Sequence, residues 1–429
     1  YRLCRCSRTV TLLPRMIICF QTLGCKLNFA ETSDLGKALL QRGHQRCKKG
    51  EQADVCVLNT CSVTDAADHK GRLAIHRLHR EHPNATIIVT GCYAQLKPQE
   101  IAAIDGVDYV LGSNDKFQIP QLIDQLEANH TITPSFNNDT FFPAYSREDR
   151  TRCFLKVQDG CNYFCTYCTI PFARGRSRNG TIASVLRQAQ NAINEGAKEI
   201  VLTGVNIGDF GRTTNETFID LLRALDNIDA NVRYRISSCE PNLLSDEIIE
   251  FVAQSNHFAP HFHIPLQSGS NEVLKIMQRR YTRELFQERV EHIKSLMPDA
   301  FIGVDCMVGV RGETEEYFDD YYHFVEALPI SQLHVFTYSE RQNTRMLSMN
   351  LLVVPQKIRK QRSEILHQLS EKKLADFYHS QNGKTKTVLW ESKREGQMMS
   401  GFTENYVRQQ TPYNADKINT FEQIICTIK

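Results

Sequence analysis

The stretch CNYFCTYC, residues 161–168, places Cys161, Cys165 and Cys168 in a C-x3-C-x2-C array. Three thiolates packed into eight residues are a ligand arrangement. A zinc site or an ordinary iron–sulfur cluster takes four protein ligands. Here the next cysteine is Cys239, far downstream. Three thiolates on a four-iron cluster leave one iron with an open coordination position, and that opening is the first functional hint.

The array follows RCFLKVQDG (152–160), the first of six strand candidates. The others are EIVLTGVN (199–206), VRYRISSCE (232–240), HFHIPLQ (261–267), FIGVDCMVG (301–309) and QLHVFTYS (332–339). Helical segments fall between them at 181–195, 216–227, 245–255, 271–277, 282–296 and 314–327. Six β/α units predict a barrel of the TIM type, or part of one, with chemistry at the carboxyl ends of its strands. Polar residues gather there: Asn206, Ser238, Glu240, Gln267 and Ser268. The bland alternatives are a solvated loop carboxylate for Glu240 and turn capping for Gln267 and Ser268.

Upstream, residues 16–130 also alternate strand and helix. Strands are expected at IICFQTLGC (17–25), VCVLNTC (55–61), TIIVTGC (86–92) and VDYVLG (107–112). Helices are expected at 28–43, with Asn28 as N-cap, at 64–82, and from KPQEIAAI (97–104). The β-α-β-α order implies a parallel sheet with helices on its faces. Cys25, Cys61 and Cys92 end the first three strands. Ligands bind outside the carboxyl ends of such a sheet, so topology brings these three to one edge as a second trio. Residues 131–150 are polar and aperiodic and read as a linker. Residues 355–381 are a charged helix. Residues 383–429 alternate again and predict a small antiparallel β-barrel. Lys384, Lys386, Lys393, Arg394, Arg408, Lys417 and Lys429, with Phe402 and Tyr406 among them, suit single-stranded RNA. The alternative is a charged surface on a structural barrel.

Composition agrees with a soluble α/β protein of several domains. The 429 residues are 41% apolar and 23% charged. Residues 1–15 lack a signal-peptide core, and Met16 reads as the natural start. No run of eighteen apolar residues predicts a membrane helix. Fifteen cysteines without a secretion signal point to metal or cluster ligation rather than disulfides. With a net charge of +2, nucleic acid has to be bound through a local patch.

CNYFCTYC followed by IPFARGRSR resembles the radical S-adenosylmethionine (SAM) enzymes. LGCKLN, NTCSVT and GCYAQ narrow the resemblance to the methylthiotransferases, and the tail resembles their TRAM RNA-binding module. LGCKLN with Glu31 shortly after is similar to the branch acting on N6-threonylcarbamoyladenosine in tRNA. The resemblance spans 16–429 in three parts. These are 16–130 with an auxiliary cluster, a radical SAM domain at 151–380 after the linker, and TRAM at 383–429. It implies that Cys161, Cys165 and Cys168 hold a [4Fe-4S] cluster whose open iron binds SAM, and that Cys25, Cys61 and Cys92 hold a second [4Fe-4S] cluster that carries the sulfur. Tyr167 would lie near the adenine of SAM, and Gly204, Asn206, Ser238, Glu240 and Gln267 would contact SAM. It further implies a cytoplasmic monomer that meets the anticodon loop of tRNA and takes electrons from a donor such as a flavodoxin or ferredoxin. No residue is assigned as an acid–base catalyst.

Two stretches depart from the family pattern. VGVRGET replaces a GFPGET-like turn, and TYSERQNT replaces a PYSPRPGT-like run. Arg311 in the first is a candidate contact for a substrate carboxylate or phosphate. Cys239, beside Glu240, is the remaining cysteine expected near the site. The competing expectations are the same chemistry on isopentenyladenosine in tRNA or on a ribosomal-protein aspartate, and a non-catalytic iron–sulfur or RNA-binding protein.

Overall fold

A computed structural model describes residues 15–126, 140–147 and 151–428. Cys4, Cys6, Lys429 and most of the expected linker lie outside them.

The N-terminal sheet consists of β1 (Ile17–Thr22), β2 (Gln45–Arg46), β3 (Val55–Thr60), β4 (Thr86–Gly91) and β5 (Tyr109–Val110), in the order β2-β1-β3-β4-β5. All its pairings are parallel. β3 is buried along its whole length, which is why VCVL is a continuous apolar run rather than an alternating one. The helix Asp65–Glu81 starts where the Thr64 side chain accepts from the Ala67 N–H. The first helix, Lys26–Gln41, starts earlier than its sequence pattern suggests. Its N-cap is Cys25, not Asn28. Asn28 instead sits buried in the first turn and donates to the carbonyls of Leu23 (2.9 Å) and Thr60 (3.0 Å). An asparagine that ties two strand ends together has the same local signature as a cap.

The second α/β series begins with β6 (Ala144–Tyr145). This two-residue strand pairs antiparallel with β7 (Cys153–Lys156) and lies inside the stretch expected to be a linker. Its strand is too short to show a period. A short antiparallel pair follows, β8 (Gln158–Asp159) with β9 (Arg178–Asn179). Then come β10 (Glu199–Thr203), β11 (Arg233–Ile236), β12 (His261–Gln267), β13 (Phe301–Val308) and β14 (Gln332–Thr337). β7, β10 and β11 form one parallel set and β12, β13 and β14 another. Single parallel bridges, Tyr234 to Phe258 and Ser238 to His263, link the two sets. Helices between the strands pack on one apolar core that runs from Cys153 to Leu369.

The helix Gln356–Gln381 leads to an antiparallel sheet of β15 (Thr385–Glu395), β16 (Met398–Thr403), β17 (Arg408–Pro412) and β18 (Phe421–Ile425). This sheet is pinned to the preceding strands by two buried arginines. Arg233 donates to the carbonyls of Thr387 and Phe402, and Arg235 to those of Glu404 and Thr403, while Glu199 is ion-paired with both. Phe402 and Tyr406 stack on each other and on Arg152. Tyr406 also packs on His261, Phe301 and Arg235. These two rings therefore fill the joint between tail and central strands and are not a platform for bases. Most expected cations are paired: Lys384 and Lys386 with Asp299, Lys393 and Arg408 with Glu395, and Lys417 with Glu422. Arg394 instead lies over the ring of Tyr413, 4.8 Å from its centre.

Candidate active site

Both cysteine trios lie just beyond strands. The order β2-β1-β3-β4-β5 places the topological switch of the N-terminal sheet between β1 and β3, where open α/β sheets bind ligands. Cys25 follows β1 and Cys61 follows β3. Cys92 opens the short helix Cys92–Leu96 after β4. Gly24, at φ +105°, passes so close to Cys61 that an added Cβ would lie 2.6 Å from the Cys61 Cβ. This approach requires glycine. Desolvation pushes the Cys61 thiol up to about 12, and the neighbouring Cys92 and Cys25 add to the shift.

The second trio sits in the loop after β8. Burial pushes the thiol of Cys161 up to about 11 and that of Cys168 up to about 12, and raises that of Cys165. Donors point at the sulfurs: the Tyr163 N–H at Cys161 (3.4 Å), the Ile170 N–H at Cys168 (3.4 Å), and the Arg279 guanidinium at Cys165 (3.0 Å). Hydrogen bonds to ligand sulfurs are one of the levers that tune iron–sulfur clusters.

This donor set fits a polynuclear cluster. A tetrahedral ion with Zn–S bonds of about 2.3 Å draws its sulfurs to about 3.8 Å of one another. Among the described residues, only Cys19, Cys56 and His82 bring three ligand atoms within 4.8 Å of each other. Neither trio is that tight, so each holds its thiols at a wider spacing than a single ion requires. Close, buried thiols resist ionisation until a cation lies among them. The surroundings supply positive charge. Glu31 is fully buried between Lys116 (2.6 Å), Lys156 (2.7 Å) and Arg174 (3.1 Å). Asp159 binds Lys156 (2.7 Å), Arg174 (3.0 Å) and Arg178 (3.1 Å). Four cations thus face two carboxylates, an excess of two positive charges. Arg174 lies in the field of Cys25 and Cys92 and also donates to the Asn28 side chain.

The sequence reading used Glu31 only as a motif residue, and Lys116, Lys156, Asp159, Arg174 and Arg279 were missed. The available signals were a lysine inside the apolar run CFLKV and the arginines in IPFARGRSR. Neither signal named a partner, because the partners lie 85 to 143 residues away from Glu31.

Of the expected cofactor contacts, Tyr167 and Gln267 share a cavity of about 210 Å³ with Cys168. Thr64, Asp305 and Ser339 also line it, so both α/β units contribute walls. Gln267, at the end of β12, has φ +65°. Glu240 joins through Arg279, which bonds its carboxylate and also reaches the Tyr167 hydroxyl (3.5 Å). Burial raises the Glu240 carboxyl despite that partner. Gly204 lies against Gln158 and Ile207 with no room for a Cβ. Asn206 is buried beside the Tyr163 hydroxyl, and among the described residues its side-chain amide makes no well-formed hydrogen bond. Ser238 forms the bridge to His263 and is not among the residues lining the cavity. Cys239 is buried in the apolar core against Gly208. Arg311 is engaged in a two-pronged pair with Glu340 (3.0 and 2.8 Å), so the two departures VGVRGET and TYSERQNT are bonded to each other. The adjacent Arg341 crosses to Ser62 (2.7 Å) and Asp68 (2.8 Å), beside the loop carrying Cys61.

The radical SAM superfamily matches residues 155–325, and "Uncharacterized protein family UPF0004" matches 17–112. The threonylcarbamoyladenosine tRNA methylthiotransferase MtaB of Bacillus subtilis (strain 168) is 38% identical, covering 91% of this chain and 89% of its own. The enzyme of the same name from Aquifex aeolicus is 36% identical, covering 91% and 96%. A tRNA-2-methylthio-N(6)-dimethylallyladenosine synthase from Alkaliphilus oremlandii is 33% identical, covering 89% and 84%. Among solved structures, the radical S-adenosylmethionine methyltransferase TsrM from Kitasatospora setae superposes with TM-score 0.56 at 14% identity, covering 76% of this chain and 72% of its own. That likeness is one of fold.

Proposed function

Because the chain belongs to the radical SAM tRNA methylthiotransferase family, we propose that it installs a methylthio group at C2 of N6-threonylcarbamoyladenosine beside the anticodon of tRNA. The observation that carries this reading is the cavity that Cys168 of one cysteine set shares with Val63 and Thr64, which follow Cys61 of the other by two and three residues.

Cys161, Cys165 and Cys168 would hold one [4Fe-4S] cluster, and Cys25, Cys61 and Cys92 a second. When bound, these clusters and SAM supply the one-electron chemistry and the sulfur that an adenine C2–H bond requires, since it is neither acidic nor electrophilic. The residues of the chain position and insulate. Asn206 would bond a polar group of SAM, which would satisfy a buried amide that makes no well-formed hydrogen bond among the described residues. Glu240, freed from Arg279, would accept a hydrogen bond from the SAM amino group, and Arg279 would keep its bond to the Cys165 sulfur. Tyr167 and Gln267 line the cavity that receives adenine. Side chains from both α/β units line that cavity. The substrate base has to leave its stack to enter.

In this reading the six parallel strands form a partial (β/α)6 barrel. The domains are 16–130, 151–380 and 383–429, and the tail acts as a TRAM module. Arg394 over Tyr413, rather than Phe402 and Tyr406, offers RNA a cation and a ring. The protein works as a cytoplasmic monomer supplied by a flavodoxin or ferredoxin.

The test is nucleoside mass spectrometry of tRNA from cells with and without the gene, paired with SAM cleavage by the reduced, reconstituted protein. Loss of the methylthio form of threonylcarbamoyladenosine, together with 5′-deoxyadenosine production, supports the proposal. Loss of the isopentenyl form alone moves the substrate to the sister branch. No methylthio change despite SAM cleavage points to a protein substrate. No cleavage leaves a non-catalytic protein.

A further inference from the structure

Cys19, Cys56 and His82 form a cluster that the methylthiolation reading does not use. Cys19 in β1 and Cys56 in β3 are partners in register. Adjacent strands lie about 4.8 Å apart, within the roughly 4.4–6.8 Å Cα separation that a disulfide spans. Both thiols pack on the face covered by the helix Asp65–Glu81, in a core with Ile75 and Leu78. His82 caps that helix, and its ring meets both sulfurs within 4.8 Å. Cys19 lies six residues before Cys25, roughly 20 Å along an extended chain, so the cluster is separate from the thiols at the strand ends.

The hydrogen bonds indicate what these groups can do. His82 Nδ1 accepts from the Ala53 N–H at 3.2 Å, which leaves the proton of the neutral ring on Nε2. A metal needs an unprotonated nitrogen, whereas a thiolate needs a donor. The Cys19 sulfur lies within 4.8 Å of the Cys56 sulfur and of the His82 ring nitrogen. It is half-buried, and Cys56 is fully buried. Cys19 is therefore the thiol that a small oxidant can reach, and Cys56 the one placed to resolve it.

We propose that Cys19 and Cys56 are a redox-active pair that reduces hydrogen peroxide and closes into a disulfide between β1 and β3. The Cys19 thiolate attacks one peroxide oxygen and the O–O bond breaks. The departing hydroxide takes a proton from solvent and leaves as water, and Cys19 becomes a sulfenic acid. The Cys56 sulfur then attacks the Cys19 sulfur. The S–O bond breaks, and the Cys56 proton goes to the leaving hydroxide as a second water. The two sulfurs lose two electrons and the peroxide gains them.

The thiol's acidity is consistent with this role. The Cys56 hydrogen bond, with His82 adding to it, holds the Cys19 thiol down to about 6, and Cys56 is pushed up by the same bond. The groups facing Cys19 are Cys56 from β3, Glu81 and His82 from the end of the helix, and Cys47 after β2. Cys47 points its thiol at the carbonyls of Lys48 and Glu51. At pH 7 a thiol of pKa 6 is about 90-fold more ionised than one of pKa 9, and its lower intrinsic nucleophilicity returns about 16- to 30-fold of that. The net expectation is an alkylation rate about three- to sixfold above an ordinary thiol.

The experiment pulses full-length reconstituted protein with iodoacetamide across a pH series and reads each cysteine by peptide mass spectrometry. Cys19 should label with a midpoint near pH 6, and His82→Asn should move that midpoint upward. One equivalent of hydrogen peroxide should yield a linked Cys19–Cys56 peptide. Cys56→Ser, checked for unchanged circular dichroism, should instead give a Cys19 sulfenic acid trapped by dimedone. A midpoint near pH 9, absence of both peroxide products, or a zinc ion lost on Cys19→Ser would each overturn the proposal.

Discussion

Replacing Glu31 by glutamine removes the one carboxylate that faces Lys116, Lys156 and Arg174 together. The substitution keeps the shape and deletes the charge. Lys116 is then left fully buried, with its 2.6 Å ionic partner gone. Breaking a buried pair by removing one partner costs about 3–5 kcal/mol, a large share of the roughly 5–15 kcal/mol that holds a domain folded. With a urea slope of about 2–3 kcal/mol/M, the unfolding midpoint should fall by about 1–2 M. The assay is anaerobic urea unfolding followed by circular dichroism. Its pH dependence has a fixed sign. Burial alone would raise the Glu31 carboxyl, but Arg174, Lys116 and Lys156 outweigh it and hold it well below the ordinary 4.5. A depressed carboxyl contributes stability that is fully present above the unfolded value and lost as pH falls toward the folded one. The gap between wild type and Glu31→Gln should therefore be constant near neutrality and narrow below about pH 4.5. Adding Lys116→Met should restore part of the loss, because an apolar pair replaces the orphaned cation. A loss under about 1 kcal/mol at pH 7, or a gap that widens in acid, would refute the reasoning.

Asn206→Ala should leave the stability of the SAM-free protein unchanged within about 0.5 kcal/mol, since among the described residues its amide makes no well-formed hydrogen bond to lose, while weakening SAM binding about tenfold by calorimetry. Arg235→Met should loosen the tail, because four tail carbonyls depend on Arg233 and Arg235, so limited proteolysis should release a fragment near residue 383 faster than in wild type. Cys61→Ala should lower reconstituted iron from about eight to about four per chain and keep SAM cleavage, whereas Cys165→Ala should abolish cleavage at a similar iron content. Arg311→Ala should cost about 0–1 kcal/mol and leave tRNA modification rates unchanged, because its half-exposed pair with Glu340 joins two surface turns.

The elements of both α/β series were legible because the helices bury a periodic face and many of the strands between them are continuous apolar runs, and the cysteines drew notice by two routes, the tight C-x3-C-x2-C spacing at Cys161–Cys168 and the strand ends at Cys25, Cys61 and Cys92. What stayed hidden depends on distant partners. Asn28 has the sequence signature of a cap, yet it ties Leu23 to Thr60. Tyr406 and Phe402 among cations resemble an RNA platform, yet they fill the joint with Arg152 and His261. Lys156 gives no local sign that its partner is Glu31, 125 residues away. Composition and period report what a residue buries. They do not report which far segment it meets.

The central claim is tested most directly by incubating the reduced, doubly reconstituted protein with SAM and a tRNA carrying N6-threonylcarbamoyladenosine, then digesting the tRNA to nucleosides for mass spectrometry. The account predicts a methylthio group on the threonylcarbamoyladenosine, absent when Cys61→Ala or Cys165→Ala replaces wild type. Unmodified threonylcarbamoyladenosine, with both clusters present and SAM consumed, would contradict it.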